Sequence, residues 1–149
     1  MGTISLHPDF KDFLRLLNSN NVDYLLVGGY AVSFHGYPRN TGDLDIWVDT
    51  NAANAERVAR AIGEFGMPEE QVTAFLFQQP GKVIRMGMPP VRIEVLTGIS
   101  GVCFKDCYVE RIRAEVDGIW VNIISLPMLK ENKKASGRIK DLDDLQHLP

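Results

Sequence analysis

The spacing of apolar residues in the first third of the chain predicts a helix followed by two strands. Apolar residues recur every three or four positions after Pro8, as in an amphipathic helix with one buried face, and they are Phe10, Phe13, Leu14 and Leu17. The continuous apolar run at 24–27 predicts a short buried strand. The alternating run at 43–48 predicts a second strand with one apolar face. Between them, Gly28 and Gly29 predict a tight turn into a short helix at 30–34.

The remainder of the chain first keeps the helical period and then changes to the strand period. Helices are predicted at 52–65 and from Pro68 to about Phe77, strands at 82–87, 91–96, 108–116 and 119–125, and helices at 126–136 and 140–148. The dipeptide Asp117-Gly118 predicts a tight hairpin between the last two strands. This order of elements predicts an α/β or α+β fold, a mixed twisted sheet with flanking helices, in a single domain over 1–149.

Composition narrows the class of protein without identifying a function. The 149 residues are 45% hydrophobic and 23% charged, which is typical of a globular protein with one core. The net charge of −3 argues against non-specific nucleic-acid binding, although a local basic patch remains compatible with it. No apolar run approaches the roughly 18 residues of a membrane span, and the N-terminus lacks a signal-peptide core. We therefore expect no membrane association and a cytoplasmic location.

Two carboxylates share one face of the predicted strand at 43–48. Side chains alternate along a strand, so Asp43 and Asp45 lie on the same side, about 7 Å apart by the strand rise. Like charges at ~4 Å repel by about 4 kcal/mol at an effective dielectric of about 20. A divalent cation between them would relieve that repulsion. The alternative is a solvated strand face.

Glu94 is the candidate for a third carboxylate, because Arg92 and Glu94 share the polar face of the strand at 91–96. If this strand lies beside the strand at 43–48, Glu94 joins the two aspartates in a site suited to Mg²⁺ or Mn²⁺. The alternative is a surface strand whose charges pair with a neighbour. A cation site next to a Gly-Gly turn at a helix start, which favours phosphate, suggests phosphoryl or nucleotidyl transfer.

The stretch VGG…PRNTGDLDIWV, a later acidic strand residue and KKASGRIKDLDDL together resemble the nucleotidyltransferase superfamily. The branch that they resemble most comprises small bacterial AbiEii-toxin-like and minimal nucleotidyltransferases. The resemblance implies a polymerase-β-like core in which metal ions hold a nucleoside triphosphate. It also implies transfer of a nucleoside monophosphate group to a hydroxyl, with release of pyrophosphate.

Site residues follow from this resemblance by position. Metal binding and catalysis are implied for Asp43, Asp45 and Glu94, and Glu94 is also implied as the base for an acceptor hydroxyl. Nucleotide or phosphate binding is implied for Gly28, Gly29, Arg39, Thr41, Lys133 and Arg138. The basic helix that carries Lys133 is equally compatible with a solvated face.

The sequence leaves the acceptor open between RNA, a protein side chain and a small molecule. Since no appended helical domain is present to form an acceptor pocket, a protein partner or a second subunit is a further expectation. The alternative function is a nucleotide- or partner-binding module without turnover, such as the antitoxin or regulatory half of a toxin–antitoxin pair.

Overall fold

Six β-strands pair into one sheet in the computed structural model, which describes residues 4–39 and 41–149. The strands are β1 (Tyr24–Val27), β2 (Asp43–Val48), β3 (Val83–Met88), β4 (Val91–Leu96), β5 (Ile112–Val116) and β6 (Ile119–Ile123). Their order across the sheet is β3-β4-β2-β1-β6-β5. The β2–β4 and β1–β6 pairs are parallel and the other three pairs are antiparallel. The predicted mixed sheet is confirmed.

Seven α-helices accompany the sheet in the same described residues. They are α1 (Pro8–Ser19), α2 (Gly28–Phe34), α3 (Ala52–Phe65), α4 (Ala74–Gln78), α5 (Phe104–Val109), α6 (Leu126–Ser136) and α7 (Ile139–His147). Local signals set several of their ends. Asn51 caps α3 by accepting from the Asn54 N–H, and Ser125 caps α6 by accepting from the Met128 N–H. Gly137 ends α6 in the left-handed conformation.

The core forms where the apolar faces of the helices meet the sheet. All four residues of β1 are buried, as a strand between two neighbours and beneath helices requires. The apolar residues of α1 are buried as the helical spacing predicted. In β2, Leu44 and Ile46 are fully buried, whereas Asp43 and Asp45 on the opposite face are only half-buried. The core therefore fixes the direction in which the two carboxylates project.

Three predicted elements differ from the structure. The predicted strand at 108–116 begins only at Ile112, because Tyr108 and Val109 lie in α5, which packs Phe104 against Trp47 with 5.1 Å between ring centroids. The single helix predicted from Pro68 to Phe77 is a 3-10 turn at Glu69–Gln71 followed by α4. The short helix predicted at 30–34 begins earlier, at Gly28. Local composition favoured strand or helix at these places, and tertiary packing changed the outcome.

The predicted hairpin between β5 and β6 is confirmed. Asp117 and Gly118 both have positive φ, 49° and 83°, as a two-residue hairpin turn requires. Crossing a membrane needs a long apolar helix, and no helix in the described part of the chain meets that requirement.

Candidate active site

The pairing of β2 with β4 brings the predicted carboxylates onto neighbouring strands. The parallel register places Asp45 beside Glu94 and Asp43 beside Arg92. The condition on which Glu94 depended, adjacency of the two strands, is therefore met. All three carboxylates and Arg92 line one cleft of about 500 Å³.

Asp45 is the carboxylate whose environment most disfavours a negative charge. Burial first, and then the negative charges of Glu94 and Asp43, raise the pKa of Asp45 from its ordinary value of 3.8 to about 7. The positive charge of Lys140 acts in the opposite direction. A hydrogen bond to Glu94 is the smallest of the causes that raise the pKa of Asp45. The cluster therefore has a deficit of positive charge at Asp45.

Two guanidinium groups contact the other carboxylates of the cluster. Arg92 Nη2 donates to Asp43 Oδ2 at 2.8 Å and lies 3.4 Å from Glu94 Oε1. Arg85 Nε, from β3, donates to the same Glu94 oxygen at 3.2 Å. The sequence placed Arg92 on the face of Glu94 but did not predict its contact with Asp43. Arg85 was missed, because its position depends on the β3–β4 register.

The chemistry of this donor set fits a hard divalent cation. Three carboxylates from two adjacent strands offer oxygen ligands, and the raised pKa of Asp45 indicates that the negative charge there is incompletely compensated. In the arrangement of residues 4–39 and 41–149, no three His, Cys, Asp or Glu side chains are placed so that they could hold a metal ion. The position of Arg92 between Asp43 and Glu94 provides a physical reason. The roles predicted for these carboxylates stay predictions.

The Gly-Gly turn allows the start of α2 to approach the cluster. Gly28 has φ of +67°, and a Cβ there would overlap the Asp45 carboxylate, coming within 2.8 Å of its Cγ. A Cβ at Gly29 would lie 2.8 Å from the Cβ of Thr41. Thr41 in turn donates from Oγ1 to the Asp43 carbonyl at 3.4 Å. Both glycines are therefore required for packing against β2 and the loop before it, and their predicted contact with phosphate stays a prediction.

The predicted basic residues belong to an ion-pair network between α6, α7 and the loop before β2, and the centre of this network is buried. Arg39 donates to both oxygens of Asp144, at 2.8 and 3.0 Å. Lys133 Nζ lies 3.1 Å from Asp141 Oδ1 and 3.0 Å from Asp144 Oδ2. Arg138 Nε donates to Asp141 Oδ2 at 2.8 Å. Lys133 is only 3% exposed, so the alternative of a solvated helix face does not hold for it.

Charge pairing in this network outweighs burial. Burial alone would raise the pKa of Asp141 and of Asp144. Hydrogen bonds from Arg138 and Lys133 to Asp141, and from Arg39 and Lys133 to Asp144, hold both pKa values below their ordinary range. Asp141 also occupies the third position of α7, where it accepts from the Arg138 N–H at 3.1 Å and so helps to cap the helix.

The cleft separates the predicted residues into two groups. Those that line it are Gly28, Asp43, Asp45, Glu94, Lys133 and Arg138. Gly29, Arg39 and Thr41 are not among its lining residues. Lys140 also lines the cleft, as do four apolar residues, Val27, Val83, Leu96 and Ile99. The cleft thus combines acidic, basic and apolar walls.

Comparison with known proteins shows a likeness in fold. No protein-family model matches the chain, and no curated protein matches it significantly. The fold is similar to the crystal structure of a "putative nucleotidyltransferase" from Thermotoga maritima, with a TM-score of 0.63 at 15% sequence identity. The similarity covers 95% of this chain and 93% of that one. Because an identity this low shows only a shared fold, we conclude that the chain has a nucleotidyltransferase-like fold.

Proposed function

We propose that this protein is a metal-dependent nucleotidyltransferase that moves a nucleoside monophosphate group from a nucleoside triphosphate to a hydroxyl of an acceptor. The observation that carries the proposal is the juxtaposition of Asp43, Asp45 and Glu94 in one cleft through the β2–β4 register. The fold supports it, because a nucleotidyltransferase-like architecture covers nearly the whole chain. Membership of the AbiEii-toxin-like branch and a cytoplasmic location are part of the proposal.

The three carboxylates would hold Mg²⁺ or Mn²⁺. Such an ion, when bound, would offset the charge of phosphate oxygens and lower the pKa of a hydroxyl beside it. The raised pKa of Asp45 supports this assignment, since a cluster that is short of positive charge gains most from a cation.

The reaction forms a bond between the acceptor oxygen and the α-phosphorus and breaks the bond from that phosphorus to the bridging oxygen, which leaves with pyrophosphate. The proton of the acceptor hydroxyl passes to a carboxylate, for which we assign Glu94. Glu94 is 16% exposed, so its side chain reaches the cleft while the protein excludes most water from it. Holding both reactants in one cleft would supply a large part of the rate.

Contact with the triphosphate is assigned to the exposed cations of the cleft, Arg138 and Lys140. Lys133 and Arg39 would first have to leave buried ion pairs with Asp144. Their contribution under this proposal is to fix α7, and with it Arg138 and Lys140, against the sheet.

Label transfer from each α-labelled nucleoside triphosphate into RNA, protein and metabolite fractions of a cell extract tests the proposal. The reaction is run with Mg²⁺ or Mn²⁺, and release of pyrophosphate is measured in parallel. The site variant is D43N/D45N, and the matched control is D12N, since Asp12 is an exposed aspartate on α1 outside the cleft.

Label in one fraction with the wild type and D12N, but not with D43N/D45N, would support the proposal and identify the acceptor class. Nucleotide binding without transfer would favour the alternative of a binding module or antitoxin-like partner. Release of phosphate without pyrophosphate would point instead to phosphotransfer or hydrolysis.

A further inference from the structure

Arg92 contacts two of the three carboxylates that the proposed function assigns to the metal. A single nitrogen, Nη2, lies 2.8 Å from Asp43 Oδ2 and 3.4 Å from Glu94 Oε1. From these contacts we infer that Arg92 is a built-in competitor of the divalent cation, which balances Asp43 and Glu94 until the cation displaces it. This inference rests on the proposed function, because it concerns access of the metal to that site.

The oxygens that Arg92 holds are those that a divalent cation needs. An Asp43 or Glu94 oxygen that accepts a hydrogen bond from a guanidinium presents less of its lone-pair density to a metal. The guanidinium is also permanently charged, so a cation that enters beside it meets repulsion at short range. Binding of the ion therefore requires Arg92 to move away from at least one of the two carboxylates.

The surroundings of Arg92 allow that movement. Its side chain is 29% exposed at the wall of the cleft, so it can swing outward without opening the core. Its Nε is buried and has no hydrogen-bond partner among the described residues. The guanidinium is thus held mainly through Nη2 by the two carboxylates, and an ion that neutralises them removes its anchor.

Arg85 provides a matched control on the neighbouring strand. Among the described residues its one ion pair is with Glu94, at 3.2 Å, and its side chain is 58% exposed. Removing either arginine removes one positive charge from the cleft, but only removal of Arg92 frees Asp43. A difference between the two variants therefore separates displacement from a general effect of net charge.

The experiment measures Mn²⁺ affinity by isothermal titration calorimetry and by the electron paramagnetic resonance signal of free Mn²⁺, without nucleotide. The proteins are the wild type, R92M, R92Q and R85M, each shown to be folded by circular dichroism. R92Q is included because it keeps polar atoms at the site if R92M does not fold. We expect R92M and R92Q to bind Mn²⁺ about tenfold more tightly than the wild type, within the usual range of coupling between two ligands. We expect R85M to change the affinity about threefold or less.

Thermal unfolding adds a second readout. Mn²⁺ should raise the Tm of R92M more than that of the wild type, because in R92M the metal restores a cation that the substitution removed. Equal Mn²⁺ affinities of the wild type and R92M would overturn the inference and leave the proposed function standing. The same holds if R92M and R85M increase the Mn²⁺ affinity equally. If none of the four proteins binds Mn²⁺, the metal assignment fails as well, and the inference fails with it.

Discussion

Asp45→Asn is expected to stabilise the metal-free protein in a pH-dependent way. Burial and the charges of Glu94 and Asp43 raise the pKa of Asp45 from 3.8 to about 7 in the folded state. A folded-state pKa above the unfolded value means that the folded protein binds this proton more tightly. The contribution of Asp45 to the free energy of unfolding should therefore fall as the pH rises from about 4 to about 7 and stay constant above that.

The magnitude follows from the two pKa values. A difference of about 3 pH units corresponds to about 4 kcal/mol at 1.36 kcal/mol per unit, which is an upper estimate of the charge penalty at pH 8. At pH 4.5 the same penalty is about 1 kcal/mol, since most Asp45 is protonated in the folded state. Asn has the size of Asp, carries no charge and still donates a hydrogen bond towards Glu94.

Urea unfolding of wild type and D45N in EDTA, at pH 4.5 and pH 8, measures this difference. We expect D45N to be more stable by up to about 4 kcal/mol at pH 8 and by about 1 kcal/mol at pH 4.5. The exposed control D12N should change stability by less than about 0.5 kcal/mol at either pH. The reasoning would be refuted if D45N were no more stable than the wild type at pH 8. It would also be refuted if the gain in stability were the same at both pH values.

Two further predictions concern packing around the cluster and the buried ion pairs. Gly28→Ala should lower the free energy of unfolding by about 2 kcal/mol or more, because φ is +67° and the new Cβ would overlap Asp45. As a control, Gly63→Ala should raise the free energy of unfolding by about 0.5–1 kcal/mol, because Gly63 lies within α3 and there is open space around the new Cβ. Equal effects of the two substitutions in urea unfolding would show that the turn is ordinary. Asp144→Ala should lower the free energy of unfolding by about 3 kcal/mol or more, because it leaves Lys133 buried with one partner fewer. A decrease of less than about 1 kcal/mol would contradict a stabilising role of the network. The pKa of Asp144 is lowered in the folded state, so its contribution is present at neutral pH, and the cost of Asp144→Ala should decrease as the pH falls below about 4.

Sequence reasoning succeeded where a feature depends on neighbours along the chain. The face shared by Asp43 and Asp45 follows from the alternation within one strand, and the Gly-Gly turn follows from two adjacent residues. Glu94 required one additional assumption, that β4 lies beside β2, and the register bears it out.

The features that the sequence left open or missed arise between distant elements. Lys133 lies in a helix rich in lysine, and nothing in that helix shows that Asp141 and Asp144 on α7 enclose it. Periodicity placed Arg92 on the same strand face as Glu94, but its contact with Asp43 needed the strand register. α5 was missed because the strand-like composition of Tyr108 and Val109 is overridden by packing.

The bridge between Arg39 and Asp144 has a consequence for the order in which the protein forms during synthesis. The two residues are separated by 105 positions, so the bridge closes only after α7 has been synthesised and has docked. Strands β1, β2 and β4 precede that helix and can pair earlier, which places Asp45 beside Glu94 before the basic wall of the cleft is present. A nascent chain on the ribosome therefore carries its acidic cluster for a time without the cations of α6 and α7, and the docking of α7 completes the cleft.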